Sequence, residues 1–114
     1  MQVQRKEDKV LVALEGRIIY ENLTGTQVEL DRLIGAGIRE VFLKMDGLIF
    51  LDSSALAMLL RFNISAKNNG MTITMVAPPP PIRAVLNCTR LDHIFPILTE
   101  KEAESVTSQF APAP

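Results

Sequence analysis

Apolar residues occur along this chain in short runs of two kinds, and the change from one to the other marks its elements. Residues 10–14 (Val-Leu-Val-Ala-Leu) are continuously apolar and are followed by Glu15-Gly16, which predicts a buried strand closing at the glycine. From Leu23 the spacing lengthens: Leu23, Thr26, Leu30, Leu33 and Ile34 recur at helical intervals, with Gln27, Glu29, Asp31 and Arg32 between them. Gly35 and Gly37 stop that amphipathic helix, since glycine takes left-handed backbone geometry at little cost. Residues 41–45 (Val-Phe-Leu-Lys-Met) predict a second buried strand, broken by Asp46-Gly47 ahead of the apolar residues 48–51.

Asp52 and Ser53 carry oxygens that can accept from unpaired backbone N–H groups, so a helix starts there. Leu56, Leu59, Leu60, Asn63 and Ala66 share one face of it, and Asn68-Asn69-Gly70 ends it. Residues 71–76 alternate mildly with β-branched side chains and predict a further strand, stopped by the prolines at 78–81. Pro81 suits the first turn of a short helix striped with Ile82, Val85 and Leu86. Phe95-Pro96-Ile97-Leu98 is a brief extended piece. Thr99-Glu100-Lys101-Glu102 has the spacing of a capping box for a last helix reaching about Phe110. Ala111-Pro112-Ala113-Pro114 reads as a loose tail. The alternation of strands and helices predicts a βαβ-type sheet with helices packed on it.

Composition narrows the function classes. With 114 residues, 47% of them hydrophobic and 22% charged, the chain can fill one core and does not resemble a disordered sequence. A formal charge of -1 provides no field suited to a nucleic-acid backbone, so no nucleic-acid partner is expected. Cys88 has no second cysteine to pair with, and one thiol beside one histidine, His93, is too small a ligand set for structural zinc. No cofactor or metal is expected, and a reducing cytoplasm fits. The polar N-terminus has no signal-type apolar core, and no apolar run approaches the roughly 20 residues of a membrane span.

Phe50-Leu51-Asp52-Ser53-Ser54-Ala55-Leu56 delivers two hydroxyls to the first turn of a helix, where unpaired N–H groups and the helix dipole favour negative charge. A phosphate there would be tolerated locally, yet would add about -1.5 to -2 charges to any interface covering it. Capping alone is the simpler role for Asp52 and Ser53. Ala55, Met58 and Phe62 form a stripe beside the Leu56 face; it is either an apolar contact surface or packing under a neighbouring loop. Catalysis is not expected. The lone His93 falls in a segment that reads as apolar packing, and no Gly-x-Ser-x-Gly elbow or glycine-rich phosphate loop is present. Cys88 reads as a small core residue, and Glu100 and Glu102 as solvated capping groups.

The string Val41-Phe42-Leu43-Lys44-Met45-Asp46-Gly47-Leu48-Ile49-Phe50-Leu51-Asp52-Ser53-Ser54-Ala55-Leu56 resembles the signature of STAS domains, the family of bacterial anti-sigma factor antagonists. Val12-Ala13-Leu14-Glu15-Gly16 resembles the family's first strand and glycine, and Leu91-Asp92-His93-Ile94-Phe95-Pro96-Ile97 its C-terminal segment. The resemblance implies an α/β, STAS-like fold of about four to five mixed β-strands with four helices packed mainly on one face. The domain would occupy residues 1–110. It implies a cytoplasmic, non-enzymatic antagonist whose partner is an anti-sigma factor that is also a serine kinase. Ser54 matches the phosphoacceptor, Asp52 and Ser53 shape the turn with Leu51, and Ala55, Met58, Phe62 and Glu21 are the expected partner contacts. This sequence departs from the family pattern in four places. Arg17-Ile18-Ile19-Tyr20 follows the first-strand glycine where an acid is frequent, leaving Glu21 nearest; Lys44 replaces an aspartate, Ala55 a glycine and Arg90 a glycine. The alternative is a STAS-like accessory subunit docking on the ATPase of a lipid-exporting membrane transporter, which needs no phosphorylation.

Overall fold

A computed structural model describes residues 1–110, and the loose tail expected at residues 111–114 lies outside the described residues. Its strands are Gln2–Lys6 (β1), Lys9–Ile18 (β2), Glu40–Leu51 (β3), Thr72–Val76 (β4) and Ile97–Leu98 (β5); its helices are Leu23–Asp31 (α1), Ser53–Asn68 (α2), Pro80–Cys88 (α3) and Glu104–Thr107 (α4). The strands form one mixed sheet in sequence order. β1 is antiparallel to β2, and every other neighbouring pair is parallel.

Each parallel connection steps to the next strand in the same direction. Right-handed crossovers therefore place α1, α2 and α3 on one face. Val10, Val12 and Leu14 of β2, Val41, Leu43 and Met45 of β3, and Ile73 and Met75 of β4 fill the main core with Leu30, Leu59 and Leu86 from those helices. Full burial of each such side chain contributes about 1.5–3 kcal/mol. The opposite face is covered over Leu11, Phe42 and Val76 by Ala103 and Phe110 of the C-terminal segment.

One strand was not anticipated, and two expectations about the others are corrected. β1 forms from a polar N-terminal sequence, because its partner's edge supplies the hydrogen bonds and charged side chains suit an outer strand. β2 does not close at Gly16 but continues to Ile18, with Gly16 at a φ of +72° inside an irregular stretch of the ladder. Asp46-Gly47 does not break β3. Gly47 lies against Glu15, where an added Cβ would come within 3.2 Å of the Glu15 Cβ, so its glycine serves close strand approach rather than termination.

The helices differ in detail. α1 ends at Asp31, and turns carry the chain to Gly35 and Gly37, both left-handed. The Thr99-Glu102 box is closed in both directions, the Thr99 N–H donating to Glu102 Oε1 at 2.8 Å and the Glu102 N–H to Thr99 Oγ1 at 3.1 Å. Turns follow it, and α4 proper is one short turn. Cys88 is exposed rather than in the core, and His93 is exposed beside Asp92 rather than packed. Arg90 has a φ of +60°, a left-handed position that explains why glycine suits it.

Candidate functional site

The carboxyl ends of β2 and β3 and the start of α2 meet at one end of the sheet. This is the edge where open α/β sheets place their working groups. Asp52 is the N-cap of α2, in extended geometry, and its Oδ1 accepts from the Ala55 N–H at 2.9 Å. Its Oδ2 accepts from the Tyr20 N–H at 2.8 Å, across 32 residues of sequence. The Asp52 N–H in turn donates to the Ile18 carbonyl at 3.3 Å. The Ala55 N–H, with that of Tyr20 behind it, holds the Asp52 carboxyl below the ordinary aspartate value of 3.8.

The segment reached by Asp52 is a single tight turn, Tyr20–Asn22. Asn22 staples it to the end of β2: its Oδ1 accepts from the Ile19 N–H at 2.9 Å, and its Nδ2 donates to the Arg17 carbonyl at 2.8 Å. Glu21 is exposed on this turn, so Asp52 brings it to the same end of the molecule as the serines. Ser53 is exposed at the first helical position, and Ser54 is half-buried at the second. Both belong to the first turn of the helix, where the dipole stabilises a negative group.

Ala55, Met58 and Phe62, expected as partner contacts, are packed inside and form no exposed stripe. They are 0%, 2% and 3% exposed and belong to the main core. Met58 and Phe62 line the cleft of about 210 Å³ between α1 and α2, with Leu30 and Arg61. α2 is turned about its axis relative to the expected face, so Leu56 and Leu60 are only half-buried. Asn63 and Ala66 are buried as expected.

The apolar surface near Asp52 comes from elsewhere. Tyr20 is 72% exposed, Ile49 68% and Phe50 42%. The cause lies in strand register: Gly16 pairs with Leu48 and Arg17 with Phe50, which leaves Ile49 as an extra residue in β3. A bulge of this kind re-aims side chains, here sending a four-residue apolar run partly into water just before Asp52. The Arg17 guanidinium covers the Phe50 ring at 5.0 Å. The sequence offered one sign of this: Leu48-Ile49-Phe50-Leu51 cannot alternate into one core face without an extra residue. Lys44, on the sheet's other face, pairs with Asp46 at 3.8 Å. Among the described residues no group of three or more metal-ligating side chains is gathered, and no helix is long and apolar enough to cross a membrane.

The family model described as STAS domain matches residues 1–104. No curated protein matches the chain. Solved structures do. The anti-sigma factor antagonist SpoIIAA in its unphosphorylated form superposes with a TM-score of 0.72 at 15% identity, covering 95% of this chain and 94% of that one. An anti-sigma factor antagonist from Mycobacterium paratuberculosis gives a TM-score of 0.76 at 18% identity, with 85% and 82% covered. The STAS domain of a SulP transporter from Vibrio cholerae gives 0.69 at 13% identity, with 92% and 84% covered. At these identities the structures share the fold with this chain.

Proposed function

The chain belongs to the STAS domain family, and from that premise we propose that it is an anti-sigma factor antagonist working by partner switching, with Ser54 as phosphoacceptor. One observation carries the reading. Ser54 stands on the first turn of α2, at the end of the sheet where Tyr20 is joined to Asp52 and where Tyr20, Ile49 and Phe50 are exposed, so a hydroxyl and an apolar surface share that end. The proposed contacts are therefore Tyr20, Ile49 and Phe50 with Glu21, in place of Ala55, Met58 and Phe62.

The mechanism is electrostatic. The unmodified surface docks on the anti-sigma factor kinase, which transfers a phosphoryl group from its own ATP to Ser54 Oγ. The first-turn N–H groups accommodate the new charge within this chain, whereas a desolvated partner surface opposes it. The complex then separates. A Ser54→Asp form should bind the anti-sigma factor kinase at least tenfold more weakly than the unmodified chain, the expected effect of about 1.4 kcal/mol of charge placed in an interface. Its melting temperature should stay within a few degrees. Equal affinities for the two forms would remove Ser54 from the contact.

A second reading, docking on a transporter ATPase without phosphorylation, is favoured by the half-burial of Ser54. Genomic neighbours separate the two: a kinase or sigma factor supports the first, ATPase and permease subunits the second.

A further inference from the structure

Asp52 uses its two carboxylate oxygens on two different elements. An N-cap needs one acceptor, and Oδ1 supplies it to Ala55; serine, threonine or asparagine would do this as well. Oδ2 is not required by the helix. It accepts from the backbone of Tyr20, whose side chain is the most exposed of the large apolar residues. Tyr20 and Ser53-Ser54 follow the paired ends of β2 and β3, and beyond that ladder two bonds link their segments: Tyr20 N–H to Asp52 Oδ2, and Asp52 N–H to the Ile18 carbonyl. The second of these bonds is the longer, at 3.3 Å against 2.8 Å.

We propose that Asp52 is a positioning residue for partner docking: its Oδ2 fixes the Tyr20–Asn22 turn against the first turn of α2, so that Tyr20 and Ser54 are presented to a partner as one rigid surface. The docking half of this proposal rests on the partner-switching reading; the bracing half does not. An acid is needed at position 52 because N–H groups from two different elements converge on its two oxygens. Asparagine offers one acceptor and one donor, so it can satisfy either bond but not both. Asn22 ties the turn to the end of β2 through the Arg17 carbonyl and the Ile19 N–H, so losing the brace loosens the Tyr20 end of the turn without unravelling it.

Amide hydrogen exchange on the isolated chain tests the brace. In Asp52→Asn, exchange at the Tyr20 amide should rise by about tenfold, the size expected for losing one hydrogen bond to a charged group. The Ala55 amide should keep its protection, because asparagine remains a good cap. A purely structural role for Asp52 would instead raise both amides together. Either that result, or an unchanged Tyr20 amide, overturns the brace. Binding to the anti-sigma factor kinase tests the docking half. Asp52→Asn and Tyr20→Ala should each weaken binding, and the loss in the double variant should fall short of the sum of the two, since the brace acts through the turn that carries Tyr20. Additive losses would overturn the positioning role. If the unaltered chain does not bind the kinase at all, the partner-switching reading fails, while the exchange result still decides the brace.

Discussion

At the scale of single residues, Asp52 shows both what local sequence reveals and what it hides. Its capping role was legible because the acceptor and the Ala55 N–H are three residues apart. The bond to Tyr20 spans 32 residues and depends on how β2 and β3 end together, which no local pattern encodes. The charge on Asp52 has a consequence for acid stability. Its folded-state pKa lies below the unfolded one, so its stabilisation is complete above about pH 5 and is lost as pH falls through 4 and below. Glu102, held down first by the Thr99 N–H and then by the Thr99 hydroxyl, acts in the same direction. Urea midpoints measured from pH 6 to pH 3 should therefore fall less steeply for Asp52→Asn than for the unaltered chain. Arg90 gives the opposite kind of prediction. It occupies left-handed backbone that a side chain disfavours, so Arg90→Gly should raise stability by about 0.5–1 kcal/mol, read as a higher urea midpoint with an unchanged slope.

At the scale of elements, α2 was placed correctly and turned incorrectly. Leu56 and Leu60 on one stripe and Ala55, Met58 and Phe62 on the next are equally apolar, and periodicity alone cannot say which of two adjacent apolar stripes meets the sheet. The packing of α1 decides it, since Met58 and Phe62 lie in the cleft between the two helices. Phe62→Ala should therefore cost about 3–5 kcal/mol of folding stability, as for other buried aromatic truncations. Tyr20→Ala should stay within about 0.5 kcal/mol of the unaltered chain by the same denaturation measurement, because its side chain is in water. The long strands were misjudged for a related reason. Gly16 and Gly47 were read as strand ends, yet one enters an irregular ladder and the other allows Glu15 to approach closely; both events depend on a partner strand distant in sequence.

At the scale of the molecule, the alternation of strands and helices predicted a βαβ-type sheet with helices packed on it, and the STAS resemblance implied mixed strands with the helices mainly on one face. Crossover handedness follows from chain chirality rather than from particular side chains. The polar β1 and the covering of the second face by Phe110 were not legible, since each depends on what the finished sheet leaves unpaired. The same architecture gathers the ends of β2 and β3 with the start of α2, and this gathering turns two serines of a first helical turn into a candidate switch. Intact-mass measurement after incubation with the anti-sigma factor kinase and ATP tests that switch most directly. The unaltered chain and Ser53→Ala should each gain one phosphoryl group, and Ser54→Ala none. A mass gain that survives in Ser54→Ala, or none in the unaltered chain, would contradict it.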